Sequence, residues 1–205
     1  MTTPTETRLP TAVRPRSYAL TLTPNLADFT FQGEESISIE VVEPTTHVTL
    51  HALELEISHC EAALPDGTVL QATESVIDED AETATFTFSR PIPQGSAALN
   101  LRFSCTLNDQ LRGFYRSQYV DADGKPRYLA TTQFEATDAR RAFPCWDEPA
   151  VKATFRVTLV VPSDLVAISN MPVESETQTQ NGAKTVRFAA SPRMSTYLLA
   201  FIVGD

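Results

Sequence analysis

The segment Thr131–Phe155, TTQFEATDARRAFPCWDEPAVKATF, holds most of the residues in this sequence that could do chemistry. Gln133 and Glu135 stand two apart, at the end of a run, YLATTQFE, that reads as a strand. Alternate residues of a strand share a face, so these two point together while Phe134 turns into the core. A carboxylate held there would bind a cationic amine through charge-assisted hydrogen bonds. By residue type alone, Glu135 is equally suited to be a salt-bridge partner. Thr137 is placed to cap a short helical turn, TDARRAF, that Pro144 stops. Asp138, Asp147 and Glu148 are available to Arg140 and Arg141. A structural charge cluster that ties the loop to a sheet is the expected role of Arg140, Arg141, Asp147 and Glu148. Cys145 and Trp146, the single tryptophan, are expected to pack.

The histidines are the other candidates. His47 and His51 are spaced HVTLH, superficially like the helical H-E-x-x-H zinc motif. Here they alternate with Val48 and Leu50 in a strand pattern, which separates i and i+4 by roughly 13 Å. Two ligands of one zinc must lie within about 4 Å of each other. The glutamate of the motif is also missing, so surface strand histidines are expected, and His59 beside Cys60 is read the same way. No G-x-S-x-G, P-loop or G-x-G-x-x-G occurs, so the residues by themselves assemble no catalytic constellation.

Period-two patterning must position the segment. In Phe29–Val41, Phe29, Phe31, Ile37, Ile39 and Val41 share one face, and Thr30, Gln32, Glu34, Ser36, Ser38 and Glu40 the other. The alternation returns in Tyr18–Leu22, Val48–Ala52, Leu99–Leu107 and Phe155–Val161, and in the pairs Phe86/Phe88 and Val186/Phe188. Turn signals separate these runs: PDG at 65–67, PIPQG at 91–95, DADGKP at 121–126 and QNGAK at 180–184. The pattern predicts an all-β domain, a multi-stranded antiparallel sandwich with one or two short helical turns near 137–152. The final YLLAFIV is apolar on both faces, which predicts a strand covered on both sides. Its place so near Asp205 suggests that more chain normally follows.

Length and charge bound the rest. At 205 residues, a single domain over 1–205 is expected, and 42% hydrophobic residues suffice for a core. A net charge of −10 would repel a phosphate backbone, so nucleic acid is not an expected partner. Three irregularly spaced cysteines favour a reducing compartment. The start has no signal-peptide core, and YLLAFIV is far short of the roughly 20 residues of a membrane span, so a cytoplasmic protein without membrane contact is expected.

Taken together, LPTAVRPRSYALTLTPNL at 9–26, FQG at 31–33, GFYRSQY at 113–119, the block at 131–155, ISNMPV at 168–173 and PRMSTYLLAFIVGD at 192–205 resemble the N-terminal domain of the M1 family of zinc aminopeptidases. The resemblance spans nearly the whole chain. It implies a saddle-shaped β domain that precedes a thermolysin-like catalytic domain and covers one side of its active site. It also implies that Glu135 helps bind the free α-amino group of a peptide substrate, and that Gln133 contributes to the first side-chain pocket.

The family's GAMEN segment, H-E-x-x-H…E zinc ligands and catalytic tyrosine find no match in these residues. The implied zinc therefore belongs to the parent enzyme, with no cofactor in this chain, and the isolated chain is expected to hydrolyse nothing. The implied partners are the peptide N-terminus and the protein's own catalytic domain. Two alternatives stay open. One is a stand-alone or scaffold interaction module without catalysis. The other is the leukotriene-epoxide hydrolase branch, which tends to carry glutamine at the position of Glu135.

Overall fold

The computed structural model describes residues 8–179 and 182–205. Strands dominate it, and helical structure among these residues is confined to two 3₁₀ turns, Ala139–Arg141 and Thr196–Leu198. The strands are β1 (Val13–Asn25), β2 (Thr30–Val41), β3 (Thr45–His51), β4 (Glu56–Ala63), β5 (Val69–Asp78), β6 (Thr83–Ile92) and β7 (Gly95–Thr106). They continue as β8 (Gly113–Val120), β9 (Pro126–Gln133), β10 (Thr154–Pro162), β11 (Val166–Ser169), β12 (Val173–Gln178), β13 (Ala183–Phe188) and β14 (Phe201–Gly204). Two sheets result. The larger runs β12-β13-β10-β1-β2-β7-β4-β5-β6-β3 and the smaller runs β11-β14-β9-β8.

The all-β expectation holds; the strand patterns at Tyr18–Leu22 and Phe155–Val161 fall within β1 and β10, and that at Phe29–Val41 matches β2 except for Phe29, which sits in the preceding turn with a φ of +54°. The turn signal at 65–67 sits between β4 and β5, and those at 91–95 and 121–126 span the junctions of β6 with β7 and of β8 with β9, overlapping the strand ends at Pro91, Ile92, Gly95 and Pro126. In the signal at 180–184, Gln180 and Asn181 lie outside the described residues, as do residues 1–7 of the start. The sheet is not wholly antiparallel. β1 pairs parallel with β10, from Ser17 opposite Thr154 to Leu22 opposite Leu159, and antiparallel with β2 on its other side. More than a hundred residues separate these two strands in the chain, which leaves the connection free to return in either direction.

The core lies between the sheets and is organised by aromatic rings. Tyr18 of β1 stacks on Phe155 of β10 with centroids 4.9 Å apart. Edge-to-face contacts then run from Tyr18 to Phe143, Phe143 to Phe134, Phe134 to Phe201, Phe201 to Phe114 and Phe114 to Phe31. Each such pair adds about 0.5–1.5 kcal/mol to the burial of its rings. Gly33 of β2 makes room for the Phe103 ring opposite it on β7, because a Cβ there would fall 2.2 Å from that ring.

One core position was hidden by its residue type. Glu35 has the same parity on β2 as Phe31 and Ile37, and it is buried between Leu20 of β1 and Leu101 of β7. Neither of its carboxylate oxygens has a hydrogen-bond partner. The last strand also departs from expectation. Phe201 and Val203 of β14 are buried, but Ile202 is 39% exposed, so within these residues β14 is covered on one face only.

Candidate functional site

β9 carries Gln133 to the rim of the small sheet, opposite Gly113 of β8. Both Gln133 and Glu135 are exposed, and Phe134 between them is buried, as the alternation requires. The chain then turns back on itself, and the Asp138 N–H donates to the Phe134 carbonyl at 2.9 Å. The Glu135–Ala136 peptide within that turn is cis. Phe134 is gripped on both sides, by Phe143 and by Phe201. The two polar side chains therefore project from a short turn whose centre is fixed in the core.

Gly113 completes the seat. Its φ of +69° is one that a side chain rarely adopts, and a Cβ there would lie 2.7 Å from Cβ of Arg141. Arg141 donates from Nε to Asp138 Oδ1 at 2.8 Å, and it lies in ion-pair range of Glu54 without an aligned hydrogen bond. Arg140 donates from Nε to Asp147 Oδ2 at 3.1 Å and from one terminal nitrogen to Glu82 at 2.7 Å. The other oxygen of Asp147 accepts the Thr196 hydroxyl at 2.6 Å, which ties the segment to the turn before β14.

The structural role read for Arg140, Arg141 and Asp147 is thus the observed one. Glu148 is different: it pairs with no arginine, and its Oε1 accepts the Leu9 N–H at 2.8 Å. Thr137 does not cap the turn. Asp138 is the N-cap residue of the 3₁₀ turn and makes no side-chain cap bond, since its carboxylate is engaged by Arg141. Cys145 and Trp146 are buried, as packing residues should be.

His51 is not a surface histidine. It ends β3 beneath the segment, bridged to Cys145 through reciprocal backbone bonds of 2.8 and 3.0 Å. Its Nδ1 accepts the Asp147 N–H at 3.1 Å. Burial, and after it the Arg140 charge, lowers the imidazole to about 4, so the ring is neutral and holds its proton on Nε2. Its parity, opposite to that of Val48 and Leu50, gave no sign of this role; His51 is buried because it ends β3, where the backbone bridges to Cys145. His51, Arg140, Asp147 and Thr137 line a cleft of about 770 Å³ beside the Glu135 turn.

With both arginines taken up by Glu82, Asp147, Asp138 and Glu54, Glu135 is left without an ion-pair partner among the described residues. An exposed carboxylate beside an exposed carboxamide, on a turn that cannot shift freely, is suited to hold a small cationic group. The residues do not suit a metal. Among the described residues no three of His, Cys, Asp or Glu are grouped to hold one, and His47 and His51 stand four apart on one strand.

The model of the Peptidase M1 N-terminal domain matches residues 14–198. The chain is 47% identical over 199 residues to aminopeptidase M1-B of Oryza sativa subsp. japonica, covering 97% of this chain and 22% of that protein. It is 44% identical to the puromycin-sensitive aminopeptidase of Caenorhabditis elegans, covering 97% of this chain and 21% of the relative. To the alanine/arginine aminopeptidase of Saccharomyces cerevisiae it is 45% identical, covering 96% and 23%. It spans about a fifth of the length of these relatives. On sequence and on domain alike, the chain belongs to the peptidase M1 family, and it is the family's N-terminal domain.

Proposed function

We propose that this domain supplies the amine-binding end of the substrate site in a zinc aminopeptidase that removes N-terminal residues from peptides. Glu135 accepts hydrogen bonds from the substrate's α-ammonium group, and Gln133 borders the pocket for the first side chain. The observation that carries this reading is Glu135 itself, exposed and unpaired on a turn whose neighbour, Phe134, is locked into the core.

The role follows from charge and position. A carboxylate in a fixed place binds an ammonium group and so fixes which peptide bond lies at the reacting centre. Cleavage is then restricted to the first residue. Positioning of this kind can lower a barrier by on the order of 7–11 kcal/mol at its ceiling. The residues of this chain bind and orient, and the bond-breaking groups belong to the catalytic part of the parent enzyme, where the family's zinc would act as its Lewis acid. The reading takes residues 1–205 as one domain whose partners are that catalytic part and the peptide N-terminus. A cytoplasmic setting is supported by three unbridged cysteines. No helix of the described residues is long and apolar enough to cross a membrane.

Steady-state kinetics of Glu135→Ala in the full enzyme test the assignment. A raised KM with a lowered kcat is expected. Unchanged kinetics on a dipeptide-like substrate would count against it.

A further inference from the structure

We infer that the cavity between the start of β1 and the loop before β10 is a binding site for a small multivalent anion, one that carries two or more carboxylate or phosphate charges. It is separate from Gln133 and Glu135 and does not depend on the role proposed for them.

The cavity is about 300 Å³, at the small end of ligand pockets, so it suits a small molecule. Residues 8–15 form one wall, and Trp146 with Glu148–Lys152 forms another. Both walls are held in place. Glu148 Oε1 accepts the Leu9 N–H at 2.8 Å, and the backbone N–H of Trp146 donates to the Tyr18 hydroxyl at 3.2 Å. Ala153 and Met194 exchange backbone bonds of 3.1 and 2.9 Å, which sets Arg193 beside Lys152. Arg193 Nε donates to the Lys152 carbonyl at 3.0 Å, and its terminal nitrogens are left for a ligand. Leu9, Val13 and Trp146 are buried and give the cavity an apolar floor, over which charge contacts are stronger than in open water.

The charge of the lining names the ligand. Arg8, Arg14, Lys152 and Arg193 all line the cavity, and none of them is in an ion pair among the described residues. Most of the 16 lysines and arginines are paired, and outside the cavity only Arg90, Arg112 and Lys125 are likewise unpaired among the described residues. Glu40 lies opposite Arg14 in the β1–β2 register, but it is taken up by Arg16. The single acidic residue in the lining is Glu148, one oxygen of which serves Leu9. The buried indole Nε1 of Trp146 has no acceptor either. Donors therefore outnumber acceptors around this cavity.

That arrangement runs against the rest of the chain. With a net charge of −10, carboxylates are plentiful, yet four cations are gathered here where they repel one another. A bound anion removes the repulsion. Guanidinium groups take carboxylate or phosphate oxygens two at a time, which favours these over halide ions. Four cations against one carboxylate call for more than one negative charge on the ligand. Occupancy would join the start of β1 to the far end of the segment that carries Glu135, and a ligand of the folded state raises its stability.

The test is calorimetric titration of the native polypeptide that carries these residues, with citrate, inorganic pyrophosphate and acetate. Citrate or pyrophosphate should bind once per chain, about ten-fold or more tighter than acetate, and less tightly as salt is raised. Saturation by citrate alone supports a carboxylate ligand, and saturation by pyrophosphate alone supports a phosphate one. Arg14→Gln combined with Arg193→Gln should weaken binding by about ten-fold or more. Arg90→Gln combined with Lys125→Gln, unpaired cations elsewhere, should leave it within about two-fold. In the 205-residue chain Trp146 is the single tryptophan, so the same anions should shift its emission. No saturable binding below about 10 mM overturns the inference. So does binding that survives the Arg14 and Arg193 changes and leaves the Trp146 emission unmoved, which would put the anion elsewhere. Binding by the 205-residue chain that the native polypeptide lacks overturns it too, since acidic groups of that polypeptide would then already neutralise the cations.

Discussion

Phe134 and Phe143 meet edge to face, with ring centroids 6.0 Å apart and planes at 68°. Phe134 is the residue between Gln133 and Glu135, and Phe143 lies beyond the two arginines of the same segment. Their contact closes the segment on itself over the core. The direction in which the two polar side chains project is therefore decided by packing and does not depend on their own bonds.

Truncating Phe134 should be costly although its neighbours are exposed. Phe134→Ala is expected to destabilise the chain by about 3–5 kcal/mol, from lost transfer energy and the cavity left between Phe143 and Phe201. Gln133→Ala, one residue away, should stay within roughly 0.5 kcal/mol as a surface change. Urea unfolding of the two variants checks this. Equal effects would mean that Phe134 does not hold the turn.

The Arg140–Asp147 pair should behave as a buried pair. The two side chains are 9% and 1% exposed, and Asp147 also accepts from Thr196. Removing Asp147 leaves the buried Arg140 with Glu82 as its one carboxylate and strips the Thr196 hydroxyl of its acceptor, where breaking a buried pair costs about 3–5 kcal/mol. Asp147→Ala is expected in that range by urea unfolding. Glu54→Ala removes only a half-exposed partner of Arg141 and should cost at most about 1 kcal/mol.

Two buried groups should tilt stability in opposite directions with pH. The folded state needs neutral His51, whose Nδ1 accepts the Asp147 N–H, and holds its imidazole near 4. An unfolded histidine titrates near 6.5. Between about 6.5 and 4 the unfolded chain takes up a proton that the folded chain refuses, so stability falls as pH drops. Glu35 acts the other way. Burial holds its carboxyl well above the ordinary range. Once pH passes the unfolded glutamate value of about 4.3, the unfolded chain ionises and the folded chain does not, so stability is lost as pH rises toward the folded pKa. His51→Asn should flatten the acid limb of urea midpoints measured from pH 4 to 9. Glu35→Met should stabilise more at pH 8 than at pH 4. A gain independent of pH would show that Glu35 is ionised in the folded protein.

The strand framework was legible because most core strands bury one face and wet the other, so Phe31, Ile37 and Ile39 announce β2 by spacing alone. β12, Val173–Gln178, carries no such signal. It is an edge strand exposed along its whole length, so nothing in its sequence needs to alternate. Glu35 was missed for the opposite reason, as a charged residue type in a core position. At the site, Gln133, Phe134 and Glu135 were readable from parity. The arginine partners Glu82 and Glu54 were not, because they are contributed by loops more than fifty residues away, brought near only when β3 and β6 pair. The outer face of β14 was misread because an apolar run reads as covered on both sides, whereas among the described residues Phe201 and Val203 are buried and Ile202 stays exposed.

The most direct test of the central claim compares two substrates in the full enzyme, one with a free α-amino group and its desamino analogue, for the native sequence and for Glu135→Gln. A charged hydrogen bond of about 1.5–3 kcal/mol corresponds to roughly 10- to 150-fold in kcat/KM. The native enzyme should prefer the amine, and Glu135→Gln should lose that preference by a factor in this range while its activity on the desamino analogue changes little. An unchanged ratio between the two substrates in Glu135→Gln would contradict the assignment of Glu135 to the α-amino group.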